Sequence, residues 1–354
     1  MAHATYSLRG YSAIRCYNGQ HGVSGHPVVV VRIWRALQLG LFGLALLAVV
    51  PVSANEPLRL ALSRTPLSLP FYIAMHNQLF ENEGVDLKIE ILTGGYRTMR
   101  QLLQGNADLA TVSEAVIMFN SFNGQRFAIL STFVTTHENV KVIARQDSDI
   151  FQAADLAGKR VGTVIGSASH YYLDTLSLLN GVDPKSIVLV RLKPESMQDA
   201  LKNGQVDAVA IWQPFSYTAL DSVTGSRELA DDKFYNLSFN LIANPVIAET
   251  RRGELTAILR ALQRAVAFIE KEPEKTKAIL QHYFQTDSEY SDWILSHFRY
   301  RLELEQRLIS QLESEARWAI YGGHVEAHKI PNFLNFIDDT PLRQVAPRAC
   351  NIVK

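Results

Sequence analysis

Residues 166–170 read Gly-Ser-Ala-Ser-His and connect a predicted strand to a predicted helix. A loop of this kind presents backbone N–H groups that no helical carbonyl satisfies, together with hydroxyl groups and the positive end of the helix dipole. These groups bind carboxylates, sulfonates and phosphates, whereas the alternative is that a serine only caps the helix. No Gly-Lys-Ser/Thr follows, so the segment is not a P-loop. The ligand contacts predicted here are Gly166, Ser167, Ser169 and His170.

Aromatic and polar side chains follow four other predicted strands. Trp212 ends one strand and can stack on a ligand, with a place in the core as the alternative. Tyr96 comes after two glycines, which let the backbone approach a ligand closely unless the segment is simply a turn. Phe71 follows the loop after the first strand, where it or the adjacent Tyr72 is expected in the core. With Ser113, which ends a further strand, these side chains are predicted to contact the ligand: Phe71, Tyr96, Ser113 and Trp212.

The sequence lacks the motifs of common hydrolases and zinc enzymes. It contains no Gly-x-Ser-x-Gly segment and no His-Glu-x-x-His segment. His324 and His328 stand four residues apart, a spacing that can hold zinc on a helix. No third ligand is evident in the sequence, so two surface histidines are the favoured interpretation. We therefore predict no catalytic residue, no metal and no cofactor.

The elements that position these residues alternate between strand and helix from residue 58 onward. Such alternation predicts βα units and mainly parallel sheets, in which ligands bind at the carboxyl ends of the strands. After about residue 248 the chain becomes almost wholly helical, and this segment is expected to pack on the first lobe. The predicted fold class is α/β, with two lobes that are each a mainly parallel sheet flanked by helices.

Two segments of the chain share one pattern. Residues 103–114 and 202–213 each place a glycine after a helix, then two residues, an aspartate and a strand. Glycine ends a helix in the left-handed conformation, and aspartate turns the chain into the strand. Any helix-to-strand turn can look similar, but the matching offsets favour pseudo-symmetric lobes. Ser113-Glu114 and Trp212-Gln213 then fall at equivalent strand ends.

Charge argues against nucleic acid as a partner. The 354 residues carry 35 basic and 35 acidic side chains. The segment that ends at Ala54 holds four arginines and no acid, so the remainder carries 31 basic and 35 acidic side chains, a net charge of −4. Nucleic-acid-binding proteins usually present a basic face. Of the two cysteines, only Cys350 lies beyond Ala54, which excludes an intrachain disulfide there.

The segment at positions 1–54 is predicted to be an N-terminal extension followed by a signal peptide. Two arginines precede a long apolar run, and the run ends in Val-Ser-Ala at residues 52–54. The order of basic, apolar and small residues is typical of a secretory signal that is cleaved. An uncleaved membrane helix is the alternative, because the run is nearly long enough to span a bilayer. We predict cleavage and a periplasmic location.

Four parts of the chain match the motifs of a known family. They read Ser-Leu-Pro-Phe-Tyr-Ile-Ala-Met at residues 68–75 with Gly-Val-Asp-Leu at 84–87, Gly-Asn-Ala-Asp-Leu-Ala at 105–110, Gly-Lys-Arg-Val-Gly at 158–162 with Gly-Ser-Ala-Ser-His-Tyr-Tyr-Leu at 166–173, and Val-Asp-Ala-Val-Ala-Ile-Trp-Gln-Pro-Phe at 206–215. Through them the chain resembles the periplasmic binding proteins for nitrate, taurine, aliphatic sulfonates and thiamine-pyrimidine precursors. The resemblance covers roughly residues 58–321 and is strongest to the sulfonate-binding branch.

The resemblance implies a type II periplasmic binding fold and the solute-binding component of an ABC importer. Such a monomer would hold a small organic anion, sulfonate-like or related, between its lobes for a permease and ATPase complex in the inner membrane. The first lobe would comprise residues 57–143 and 240–354, and the second lobe would comprise residues 144–239. Crossovers near residues 140–145 and 239–245 would form the hinge.

Other functions remain open at this point. One is a pyrimidine or thiamine-precursor binding protein, and another is a precursor-synthesising enzyme of the same fold. That enzyme branch carries a His-Cys-Cys-Cys-type motif and a pyridoxal cofactor, and the motif is absent from this sequence. A sensory input domain is a third function. The family's usual Trp-Glu-Pro-Phe has Gln213 in place of its glutamate here, which leaves the ligand open.

Overall fold

The structure is a computed structural model that describes residues 56–230 and 233–353. The predicted leader lies outside these residues. The strands are β1 (Leu58–Ser63), β2 (Leu87–Leu92), β3 (Leu109–Ser113), β4 (Ala128–Thr136), β5 (Val140–Ala144), β6 (Arg160–Thr163), β7 (Val188–Arg191), β8 (Ala208–Trp212), β9 (Arg227–Glu228), β10 (Leu237–Ala243) and β11 (Arg299–Glu303). Among the described residues, no helix is long and apolar enough to cross a membrane.

Helices cover much of the remaining chain. The α-helices are α1 (Leu69–His76), α2 (Leu79–Asn82), α3 (Gly95–Leu103), α4 (Glu114–Phe122), α5 (Ala168–Leu179), α6 (Met197–Lys202), α7 (Phe215–Ser222), α8 (Pro245–Thr250), α9 (Arg252–Lys271), α10 (Pro273–Phe284), α11 (Ser288–His297), α12 (Gln306–Tyr321) and α13 (Thr340–Val345). Short 3-10 helices connect several of these elements, one of them at Pro66–Ser68 directly after β1.

The strands form two sheets. The first has the order β11-β4-β10-β3-β1-β2 and the second the order β7-β6-β8-β5-β9. The strands of the βα units pair in parallel, as predicted: β1 with β2 and β3, and β6 with β7 and β8. The other pairs are antiparallel, so each sheet is mixed rather than mainly parallel. The reason is that β5 and β10, the strands that follow the two crossings between the sheets, run antiparallel to their neighbours.

The chain passes between the sheets twice. It leaves the first sheet after Thr136 and enters the second at Val140, and it returns between Glu228 and Leu237. These positions precede the predicted crossovers, because residues 140–144 form a strand of the second sheet and residues 239–243 lie inside β10. Strand β10 is central in the first sheet, where it separates β3 from β4.

The C-terminal segment packs on the first sheet and its helices, as predicted. Helix α9 contacts α1 and α2, and α12 contacts α4. One part of the predicted helical tail is a strand instead, because Arg299–Glu303 pairs antiparallel with β4 at the sheet edge. Its burial largely alternates between exposed and buried residues, which is the period of a strand with one covered face.

The two predicted pseudo-symmetric segments adopt the same local structure. In the first sheet, Asp108 accepts hydrogen bonds from the backbone N–H and the guanidinium of Arg59 at 2.7–3.1 Å. In the second, Asp207 accepts the corresponding bonds from Arg160 at 2.7–3.2 Å. Each arginine also donates to the carbonyl of the glycine three residues before the aspartate. We call these two groups the Arg–Asp clamps.

Candidate functional site

A cleft opens between the two sheets at the carboxyl ends of their parallel strands. Its walls come from both sheets and from the crossing segments between them. Its empty volume is about 400 Å³, and only about 30 Å³ of this is open to the centre of a water molecule. The lining residues are Ser63, Thr65, Leu67, Gly94, Gly95, Tyr96, Ser113, Val116, Asn139, Ser167, Ala168, Trp212, Leu237 and Phe239. None of these described residues is charged, so any ligand would be held by neutral groups.

Four helical segments begin at this cleft. The residues at their N-caps line it: Thr65 for the short helix Pro66–Ser68, Gly94 for α3, Ser113 for α4 and Ser167 for α5. The last three make no capping hydrogen bond through a side chain. The first N–H groups of a helix have no partner within it, and the helix dipole places positive potential there. The cleft therefore gathers several groups that favour an anion.

The loop before α5 keeps its two serines in contact. Ser167 Oγ donates to the carbonyl of Val164 at 2.7 Å and lies 3.0 Å from Ser169 Oγ. This arrangement fixes the loop while leaving the first N–H groups of the helix uncapped by side chains. Ser167 and Ala168 line the cleft, whereas Ser169 is fully buried behind them.

Aromatic side chains from both sheets face each other across the cleft. Trp212 ends β8 and Tyr96 lies in the first turn of α3, and both are half-buried lining residues. Gly94 lies between them with φ +88, and a Cβ atom there would come within 2.8 Å of Tyr96 and 3.4 Å of Trp212. Position 94 therefore requires glycine, because φ is positive there and the neighbouring aromatic rings leave little room for a Cβ atom. The neighbouring Gly95 would place a Cβ 3.2 Å from the backbone of Val112.

Four of the predicted contact residues do not line the cleft. Phe71 is fully buried, and its ring centroid lies 5.0 Å from that of Phe133 in the core. Gly166 adopts φ +76, and its N–H donates to His170 Nδ1 at 3.4 Å. His170 is itself buried, and burial lowers its pKa to about 4. With Ser169, these residues stand behind the surface that a ligand would touch.

Asn139 is a lining residue that the sequence reasoning did not single out. It lies in the crossing between β4 and β5 and is buried. Its Oδ1 atom has no hydrogen-bond partner among the described residues. A buried acceptor without a partner costs free energy, which a donor group on a ligand would recover. The only signal in the sequence was a polar residue between two apolar strand patterns.

Ser113 adjoins a buried carboxylate network. Glu114 accepts a short hydrogen bond from Tyr235 Oη, and its Oε2 accepts bonds from Ser238 N and Oγ at 2.9 and 3.1 Å. Gln311 Nε2 bridges Glu114 and Glu315 at 3.2 and 3.3 Å. Burial raises the pKa of Glu114 to about 7, and burial together with the Glu114 charge raises the pKa of Glu315 well above its ordinary value. At pH values below about 7, the buried pair therefore holds at least one proton.

Polar contacts join the elements of the two sheets beside the cleft. Arg97 on α3 pairs with Glu195, from the segment that precedes α6, at 2.5 Å. Gln213 does not face the cleft lining. It is buried, and its Oε1 accepts a hydrogen bond from Tyr290 at 2.8 Å, which joins α11 to the end of β8. The Gln213 side chain therefore links α11 to the end of β8 and does not line the cleft.

The chain is similar to known proteins both in sequence and in fold. An aliphatic sulfonates-binding protein of Escherichia coli K12 is 27% identical over 245 residues, which cover 68% of this chain and 76% of that protein. The alkanesulfonate-binding protein SsuA of Xanthomonas axonopodis pv. citri, solved with MOPS, superposes with a TM-score of 0.71 at 19% identity and covers 80% of this chain and 98% of its own. The desulfurization enzyme DszB superposes with a TM-score of 0.62 at 14% identity, covering 82% of this chain and 99% of its own.

These likenesses confirm the predicted fold, that of the periplasmic binding proteins. A model of the NMT1/THI5-like family matches residues 65–276, which is more than half of the chain. The predicted resemblance is confirmed as well, by this family model together with the sulfonate-binding relatives. On this evidence the chain belongs to the NMT1/THI5-like family.

Proposed function

We propose that this protein is the periplasmic solute-binding component of an ABC importer and that it holds a small organic anion, sulfonate-like or related, in the cleft. The observation that carries this proposal is the convergence of uncapped helix starts on one cleft. Gly94, Ser113 and Ser167 are the N-cap residues of three of them, and none of the three makes a side-chain capping bond. Groups of this kind bind anions without a cationic side chain.

The organic part of the ligand would lie between the aromatic walls. Trp212 and Tyr96 offer flat apolar surface from opposite sheets, and Phe239 and Leu237 extend it. An anion with an apolar or short polar tail therefore suits the cleft better than an inorganic ion. Asn139 adds a buried acceptor, which favours a ligand that also carries a hydrogen-bond donor. The sulfonate-binding relatives support this ligand class.

Ligand exchange would require the two lobes to separate. The cleft as it stands leaves room for little more than a water molecule, so an organic anion enters only when the walls move apart. A ligand that touches both walls stabilises the closed arrangement, because it makes both sets of contacts only there. The crossings between β4 and β5 and between β9 and β10 are the segments where bending would occur.

Binding is favoured over catalysis by the chemistry of the lining. Its hydroxyl groups belong to serine, threonine and tyrosine, and among the described lining residues no histidine, lysine, cysteine or carboxylate could activate them. A likeness to DszB shows that the fold also carries an enzyme. The protein would act as a monomer that delivers its ligand to a permease and ATPase in the inner membrane.

An added charge at the helix start tests the ligand class. We expect alkanesulfonates and taurine to raise the melting temperature of the purified protein, and a ligand at a hundred times its Kd adds about 2.7 kcal/mol of stability. In Ala168→Asp, a carboxylate would occupy the anion position without weakening the helix, since acids are favoured in a first turn. Ala168→Ser is the matched control.

The outcomes separate the candidate functions. Loss of anion binding in Ala168→Asp with binding retained in Ala168→Ser would support the proposal, provided that both variants keep the wild-type melting temperature without ligand. Stabilisation of the wild type by neutral aminopyrimidines alone would contradict an anion ligand and favour the pyrimidine-precursor alternative. Release of a modified product from any of these compounds, followed by chromatography, would contradict a pure binding function.

A further inference from the structure

A second polar cluster lies outside the cleft lining, where α5 meets the chain that follows α12. Its members are His170 and Asp174 from α5 and His324 from the C-terminal segment. Asp174 Oδ2 lies 3.8 Å from His170 Nε2 and 3.1 Å from His324 Nε2. The three potential ligand atoms all lie within 4.8 Å of one another. No step of the proposed function uses these side chains.

Two buried atoms of this cluster have no hydrogen-bond partner. His170 Nε2 and Asp174 Oδ1 are both unpaired among the described residues, although His170 is 1% and Asp174 3% exposed. Buried polar atoms are nearly always satisfied, so two such atoms within one group call for a missing partner. A cation placed among the three side chains would bind His170 Nε2 and, through one or both oxygens, the Asp174 carboxylate. Imidazole nitrogen and carboxylate oxygen are both common ligands of transition metals.

We propose that His170, Asp174 and His324 form a binding site for a divalent transition-metal ion, with zinc as the best match. Zinc binds imidazole nitrogen and carboxylate oxygen at about 2.0–2.2 Å in tetrahedral geometry, which separates ligand atoms by about 3.3 Å. The two distances to Asp174 Oδ2 lie on either side of this value. Small side-chain rotations would close the set around one ion.

The surroundings suit such an ion. Trp318 Nε1 donates to Asp174 Oδ2 at 3.0 Å and holds the carboxylate in place, as the outer partners of metal ligands commonly do. Asp174 and His324 also line an open apolar pocket with an empty volume of about 1170 Å³. This pocket provides an entry path for the ion and room for a water molecule at a fourth position.

Two contacts must change when the ion binds. One is the hydrogen bond between His324 Nε2 and Asp174 Oδ2 at 3.1 Å, which bonds to the ion would replace. The other lies at His170. The N–H of Gly166 donates to His170 Nδ1, which leaves the ring proton on Nε2. A metal at Nε2 requires the proton on Nδ1, so this hydrogen bond would be lost. At 3.4 Å it is a weak bond. Gly166 has open space around it, so its backbone can move away from the ring.

The site would connect elements of the two sheets. Helix α5 follows β6 of the second sheet, and α12, which precedes His324, packs on α4 beside the first. The spacing of His324 and His328 in the sequence suits zinc on a shared helix, but two surface histidines were the favoured interpretation. The structure places both residues beyond the end of α12 and brings His324 to α5 instead.

Titration of the EDTA-treated protein with Co²⁺ and Zn²⁺ at pH 7.5 tests the site. We expect one equivalent of Co²⁺ to give the intense visible absorption of a tetrahedral ion and one equivalent of Zn²⁺ to displace it. His324→Ala, whose side chain is partly exposed and whose loss should not unfold the protein, removes the signal. His328→Ala is the matched control and keeps it. Trp318→Phe lowers the metal affinity about 10- to 100-fold.

Three results would overturn the proposal. They are the absence of equimolar binding to the wild type, a cobalt spectrum of octahedral type, and a His324→Ala variant that binds as tightly as the wild type. His170→Ala offers a second test, because its buried ring contributes the unpaired nitrogen. Circular dichroism confirms that each variant is folded before its result counts. This measurement is independent of the anion assay, so either proposal can fail alone.

Discussion

The two sheets carry the same Arg–Asp clamp at one end of their strands and different side chains at the other. Arg59 with Asp108 and Arg160 with Asp207 repeat each other bond for bond. At the cleft, the equivalent strands end in Ser113-Glu114 and in Trp212-Gln213. The contrast teaches that the ends that build the sheets are repeated, whereas the ends that face a ligand differ.

The side chains at the two cleft ends have different physical roles. Ser113 begins a helix, while Glu114 behind it joins a buried network with Tyr235. Trp212 instead offers apolar surface, and Gln213 ties β8 to Tyr290 on α11. At these two equivalent strand ends, the first sheet therefore contributes a polar helix start and the second contributes an aromatic surface.

The largest expected effect is the loss of folding stability when one of the Arg–Asp clamps is removed. Asp108→Ala and Asp207→Ala should each lower the free energy of unfolding by about 2–3 kcal/mol, because each leaves a backbone N–H and a guanidinium without their acceptor. Urea denaturation measures this change. Asp221→Ala, an exposed position on α7, is the control and should stay within about 0.5 kcal/mol. Losses that differ by more than about 1.5 kcal/mol between the two halves would break the symmetry.

The next largest effect is the loss of ligand affinity expected when Trp212 is removed from the cleft. Trp212→Ala should weaken ligand binding about 10- to 100-fold, since large aromatic contacts at the centre of a site contribute most of the affinity. Trp293→Ala, outside the cleft lining, should leave affinity unchanged. Isothermal titration calorimetry gives both values. Equal losses in the two variants would remove Trp212 from the site.

The buried carboxyls predict a pH dependence that only the first half shows. Glu114 and Glu315 hold a proton in the folded protein at pH values where the unfolded chain has lost it, between the ordinary pKa of 4.5 and about 7 for Glu114. The folded state then binds more protons, so stability falls as pH rises through this range, by up to about 1.4 kcal/mol per pH unit for each proton. Glu315→Gln should flatten that slope in urea denaturation.

The clamp aspartates provide the internal control for this slope. Burial raises the pKa of Asp108, but hydrogen bonds from Arg59 outweigh it and hold the pKa below its ordinary value. The hydrogen bond from Arg160 likewise lowers the pKa of Asp207. Their contribution is present above about pH 4 and is lost as pH falls through the lowered pKa. A Glu315→Gln variant with an unchanged slope from pH 5 to 7 would contradict the raised pKa values of the two carboxyls.

The smallest effect concerns the contact between the sheets. Arg97→Ala should raise the ligand dissociation rate by up to about five-fold, because a partly exposed ion pair contributes less than about 1 kcal/mol. Arg317→Ala is the matched control, since Arg317 pairs with Glu313 within one helix. Stopped-flow displacement compares the rates. A dissociation rate that Arg97→Ala leaves unchanged would show that the pair does not hold the walls together.

Local signals in the sequence were sufficient for much of the cleft. Glycines and serines after apolar runs mark where strands end, and they predicted the positions of Tyr96, Ser113, Ser167 and Trp212, all of which line the cleft. Their contact with a ligand remains a prediction. Phe71 shows the limit, because the same local pattern suits a core residue and only the packing of Phe133 against it decides.

Long-range pairing could not be predicted in the same way. Residues 239–243 lie in a strand whose partners are more than a hundred positions away in sequence, and no local period reveals such an antiparallel pairing. The strand at residues 299–303 was hidden for the same reason in an otherwise helical segment. The approach of His324 to α5 likewise depends on how two distant segments pack.

The central position of β10 has a consequence for how the chain assembles during synthesis. Until residue 243 has emerged from the ribosome, β3 and β4 have no strand to join them, and the first sheet exists only as separate pieces. Sheets that depend on such distant pairings form slowly. We expect a chain that completes its first half so late to stay unfolded longer than its size suggests.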